Sequence, residues 1–174
     1  MTATAPKQAA KTPTGSRKSL LRKRAARLAA AQALYSDNVT DKTTKPSVLA
    51  AQIMASWADS KLNDTDDLPH ANQPETPLLT KLIETAQAHS EVIEAAIDTT
   101  ILPGWKKSRM SEPLLAILRS CAAEALAYPT RARAMLVDEY TEVAAQLVTD
   151  DELHYAHKAF NLLLDHLRQT PAKK

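Results

Sequence analysis

Apolar residues recur along this chain at helical spacing, and no segment alternates with the period of two that marks a strand. Leu21, Ala25, Leu28, Gln32 and Tyr35 step by three and four residues, which predicts a first helix over about 17–36 with these residues on one buried face and Ser16 as its cap. Leu49, Ile53 and Trp57 predict a second helix over about 47–61. Leu79, Leu82, Ile83, Ala86, Ile93 and Ile97 predict one long third helix, ended near Ile101 by Pro103-Gly104. A short helical turn is expected over 105–110. The fourth helix opens at Glu112-Pro113, buries Leu114, Leu115, Leu118, Cys121, Ala122 and Ala125, and closes before Pro129. Leu136, Val137, Tyr140, Val143 and Leu147 define a fifth helix over about 133–148. Leu153, His157, Phe160, Leu164 and Leu167 define a last one over about 151–168, with Asp150 and Asp151 at its positive end. The class is all-α.

The connections are polar. Residues 1–16 hold Pro, Thr, Ser and Lys and too little apolar surface to offset ordering entropy, so a disordered basic tail is expected there. Residues 39–46 form a polar link, and Pro69, Pro74 and Pro77 mark an exposed loop over 63–77. No internal repeat is visible.

Composition narrows the function. A chain of 174 residues buries roughly 70% of its unfolded surface and needs no metal or disulfide staple. Its single cysteine, Cys121, reads as a small buried hydrophobe and fits a reducing compartment. The only glycines are Gly15 and Gly104. That excludes phosphate-binding loops, dinucleotide fingerprints and glycine-flanked nucleophile elbows. Neither a signal peptide nor an apolar run of membrane-spanning length is present, so a cytoplasmic protein with no membrane partner is expected. Neither a cofactor nor a metal is called for, and an enzyme is not expected.

Charge is the first positive clue. The net charge of +2 conceals a first 27 residues at +8, with no Asp or Glu, and a remainder at −6. A basic arm on an acidic body suits a polyanion, because neutralising phosphates releases condensed counterions. On a helical projection Lys23, Arg24 and Arg27 fall within roughly a quarter to a third of the circumference. The plainer alternative is a solvated helix end behind a positive tail, and charge alone leaves both readings open. Arg119, set in a strongly apolar helix, either bridges to an acidic neighbour or binds a partner. Asp138, Glu139 and Glu142 read as a wet helix face rather than as paired catalytic carboxylates. His154 and His157 have a spacing that two metal ligands can share, yet read more simply as one exposed and one partly buried residue. Trp57, Trp105 and Phe160 read first as core.

The ordered motifs go further. The run Arg24-Ala25-Ala26-Arg27-Leu28-Ala29-Ala30-Ala31-Gln32-Ala33-Leu34-Tyr35 closely resembles the opening helix of the NusB antitermination family. Trp105 and Arg109, the Ile117-Leu118-Arg119 helix with Glu124, the segment Val137-Asp138-Glu139-Tyr140-Thr141-Glu142-Val143-Ala144 and the ending His157-Lys158-Ala159-Phe160-Asn161-Leu162-Leu163-Leu164-Asp165 are similar to later blocks of that family, in family order. The chain departs from the pattern at Ala25 in the arginine triplet, at Ala123, and at Phe160 and Leu162 in the last helix.

The resemblance implies a seven-helix bundle of two packed helical subdomains, about 17–102 and 103–170. It implies a non-catalytic factor that binds boxA-like single-stranded RNA of nascent ribosomal transcripts together with NusE, a small-subunit ribosomal protein, within the RNA polymerase antitermination complex. By that likeness Arg22, Lys23, Arg24, Arg27, Gln32, Lys158 and Asn161 face RNA, and Tyr35, Arg119 and Phe160 serve the partner surface. Monomer and homodimer both remain open. Two other readings are a detached RNA-binding domain like that of certain ribosomal RNA methyltransferases, and a homodimerising helical module that binds protein only.

Overall fold

A helix whose buried face is mostly alanine lies among four others. Helix α1 (Thr14–Val39) packs against α2 (Pro46–Ala58), α3 (Thr76–Ala88), α5 (Glu112–Ala127) and α6 (Arg133–Ala145). Helices α4 (Ser90–Asp98) and α7 (Asp150–Gln169) complete the set, with a 3-10 turn at Lys107–Arg109. The computed structural model describes residues 14–39, 44–58 and 73–169, and among these there is no strand. Of the disordered tail expected over 1–16, residues 1–13 lie outside the described residues, as does most of the proline-rich loop, and 14–16 are helical.

The first helix corrects two expectations. It begins at Thr14, ahead of the expected Ser16 cap. Its buried face only partly matches the predicted one: Ala25 is buried as expected, together with Ala26, Ala29, Ala30, Ala31, Ala33 and Leu34, whereas Leu21, Leu28 and Gln32 are half-buried and Tyr35 is exposed. Alanine contributes little to a hydrophobic stripe but lets neighbouring helices approach closely, so a surrounded helix can bury small residues and leave its larger ones at the rim.

The predicted third helix is two helices. The chain breaks at His89 (φ −117°, ψ 28°), whose N–H still bonds the Thr85 carbonyl at 3.0 Å while its own carbonyl accepts from Ile93 at 3.0 Å. Apolar spacing runs on unchanged through Ala86, Ile93 and Ile97, so the break left no mark in the pattern. The bend carries α4 along α5 to α7, while α3 packs against α1, α2 and α5.

Other boundaries follow local chemistry. Ser111 caps α5 with its hydroxyl accepting from Leu114 N–H at 3.3 Å, and Pro113 occupies the first turn where no N–H is needed. Leu102-Pro103-Gly104-Trp105 is a tight turn closed by Trp105 N–H on the Leu102 carbonyl at 3.0 Å, with Gly104 at φ +87° where a side chain would be strained. Trp105 then stacks on Tyr155 with ring centroids 4.4 Å apart. The buried stripe of α7 is Tyr155, Ala156, Ala159, Phe160, Leu163 and Leu164; His157 lies outside it, exposed, and Leu153 and Leu167 pack at its margin. Of the loop expected to be exposed over 63–77, the described part includes a buried Pro74. Among the described residues no helix is long and apolar enough to cross a membrane.

Candidate nucleic-acid interface

The basic residues of α1 divide into two kinds. Arg17 is exposed, and Lys18, Arg22, Lys23 and Arg24 are half-exposed, along the N-terminal half of the helix. Arg22 Nε donates to the Gln73 carbonyl at 3.4 Å. Among the described residues no hydrogen bond or ion pair holds the Lys23 ammonium. Arg24 lends one edge of its guanidinium to Glu139 of α6, Nε to Oε2 at 3.1 Å and Nη2 to Oε1 at 3.0 Å, while its side chain stays 36% exposed. That hydrogen bond, against a partial burial cost, raises the Arg24 pKa.

Arg27, one turn further on, is spent inside. It is 3% exposed and meets Glu124 of α5 edge to edge, Nε to Oε2 at 2.8 Å and Nη2 to Oε1 at 2.7 Å. Glu124 is fully buried and also accepts from Arg131 Nη1 at 2.5 Å and from the Tyr140 hydroxyl at 2.7 Å. Four donors thus fill the four lone-pair sites that two carboxylate oxygens offer. Burial alone would push the Glu124 carboxyl up, but the Arg27 bonds and charge, with Tyr140 and Arg131, hold it below the usual range. Burial lowers the Arg27 pKa, and Glu124 outweighs that, so the guanidinium is held charged. Burial and the Glu124 charge push the Tyr140 phenol well up, which keeps it a donor. Burial likewise drives the Cys121 thiol far above its ordinary value, so it stays a thiol.

Two expected site residues are therefore corrected. Arg27 does not face solvent, because the charge of Glu124, isolated in the apolar run of α5, needs a buried cation. Phe160 offers no surface, being fully buried with its ring 6.0 Å from that of Tyr140. Gln32 is half-buried and accepts from Trp57 Nε1 at 2.9 Å, which ties α1 to α2. Lys158 is exposed on α7, and Asn161 Nδ2 bonds the His157 carbonyl at 2.9 Å. Arg119 bonds Glu94 through Nε at 2.5 Å and lies 3.9 Å from Glu112. The exposed Tyr35 lies on the outer side of α1.

Sequence reasoning missed Glu124 and Glu139 as partners of these arginines. A lone acid among Cys121, Ala122, Ala123, Ala125 and Leu126 was the available signal, since an acid there must find a cation.

This fold is shared with known proteins. The family model described as NusB family matches residues 24–155. The chain belongs to the NusB family of transcription antitermination factors. It is 26% identical over 136 residues to the transcription antitermination protein NusB of Hyphomonas neptunium, covering 78% of this chain and 84% of that protein. It is 27% identical over 150 residues to that of Sphingopyxis alaskensis, covering 86% and 94%. The solved structure of T. maritima NusB superposes with a TM-score of 0.57 at 20% identity, over 94% of this chain and 95% of that one, and confirms the NusB-like all-α fold. The match begins at Arg24, so the half-exposed arginine and the buried Arg27 both fall inside the NusB region.

Proposed function

We propose that this chain binds boxA-like single-stranded RNA of nascent ribosomal transcripts, together with the ribosomal protein NusE, as part of the RNA polymerase antitermination complex in the cytoplasm. The observation that carries the reading is the cationic half of α1, where Arg22, Lys23 and Arg24 lie on a helix fixed by the buried Arg27–Glu124 pair. Family membership supports the transcriptional role. Phosphate contacts from these three side chains supply affinity, and the arginine forks suit bidentate phosphate contacts. Gln32, Lys158 and Asn161 extend the RNA face, while Tyr35 and Arg119 serve the partner. Arg27 acts from within, by holding the helix.

A filter-binding titration of boxA-like RNA at several salt concentrations, with and without NusE, tests this. Binding should weaken linearly with salt on logarithmic axes and tighten when NusE is present. A stable homodimer that binds no RNA in either condition would replace this reading with that of a protein-only interaction module.

A further inference from the structure

We propose that Glu139 is an internal occupant of the Arg24 phosphate site, so that RNA must displace a carboxylate to use this arginine. The proposal rests on the RNA-binding reading above. Glu139 presents two oxygens to the Nε–Nη2 edge of Arg24, at 3.1 and 3.0 Å, and a phosphate presents two oxygens to the same edge in the same way. The two ligands therefore compete for one fork. Exposure makes the exchange feasible, since the Arg24 side chain is 36% open and that of Glu139 only 19%.

The release of Arg24 also leaves Glu139 compensated. Its Oε2 lies 3.4 Å from Arg27 Nη1, so its charge keeps a cationic neighbour when Arg24 turns outward. The network as a whole has three arginines, Arg24, Arg27 and Arg131, against two carboxylates, Glu124 and Glu139, and so carries one positive charge in excess. The inner end presents less of that charge: Arg27 is buried, and Arg131, 24% exposed, donates to Glu124 with its guanidinium carbon 3.7 Å from the centre of the Tyr128 ring, whereas the Arg24 side chain is 36% exposed. Arg24 is the end from which it reaches an anion. Glu139 thereby sets how strongly the first helix grips RNA.

Glu139→Gln removes the competing charge at nearly constant size. RNA titrations of the full chain at low salt should show Glu139→Gln binding about three- to fivefold tighter than wild type, the upper part of the range of one exposed ion pair. The gain should vanish when Arg24→Ala is added. Glu142→Gln, which removes the same unit of charge from the same helix without the paired hydrogen bonds, should give less than half of it. A thermal melt checks the fold, and Glu139→Asp, too short for the same fork, substitutes if Glu139→Gln does not fold. If wild type binds RNA and Glu139→Gln binds no tighter, or if the gain persists without Arg24, the proposal is overturned while the RNA reading stands. If neither protein binds RNA with or without NusE, both fall.

Discussion

Glu124 and Glu94 each hold two cations, and they do opposite work. Glu124 takes Arg27 and Arg131, and Glu94 takes Arg119 through Nε at 2.5 Å and Lys107 through Nζ at 3.0 Å. Both carboxyls are pushed up by burial and brought below the ordinary range by their cations. The difference is water. Glu124 is fully buried with every lone pair used, whereas the side chain of Glu94 is 36% exposed and Lys107 divides its ammonium between Glu94 and Asp98. A buried pair is worth little against an apolar substitute, yet removing one partner strands the other charge, so the cluster locks α1, α5 and α6 together. An exposed cluster exchanges partners at little cost.

The comparison breaks most sharply at Glu124. Glu124→Ala should lower the unfolding free energy by about 3–5 kcal/mol in chemical denaturation, because Arg27 is left buried with only its longer 3.4 Å contact to Glu139. An effect near that of an exposed pair would mean that water reaches the cluster.

Acid sharpens it further. The Glu124 carboxyl is depressed in the folded state, so its contribution is fully present above the unfolded glutamate value of about 4.3 and is lost as pH falls through the lower folded value. Melting temperature should therefore drop on the acid side. Glu94→Gln should leave most of that drop in place, since the half-exposed Glu94 accounts for the smaller share. Loss of most of the acid dependence in Glu94→Gln would reverse the ranking of the two sites.

The fold was legible wherever large apolar residues did the packing. In α5, Leu114, Leu115, Leu118, Cys121, Ala122 and Ala125 are all buried as their spacing implied. It was less legible where alanine did the packing, since of the face expected on α1 only Ala25 is buried, and where a bend kept the helical count, as at His89. The site was half legible for a related reason. Charge along α1 marked the helix that carries both arginines, but the separation of Arg27 from Arg24 depends on carboxylates 97 and 115 residues away. No local pattern encodes such a pairing, and the motifs shared with the NusB family place the residues in order without saying which arginine is buried.

The central claim is that α1 carries one arginine that builds the bundle and another that grips RNA. The measurement that tests it most directly pairs thermal unfolding with boxA-like RNA titrations for Arg24→Ala and Arg27→Ala. A crossed result is expected: Arg24→Ala melts near wild type while its RNA affinity drops and its salt slope falls by about one, and Arg27→Ala loses stability yet binds RNA with the wild-type slope where it remains folded. Wild-type affinity and slope in Arg24→Ala, or wild-type stability in Arg27→Ala, would contradict the account.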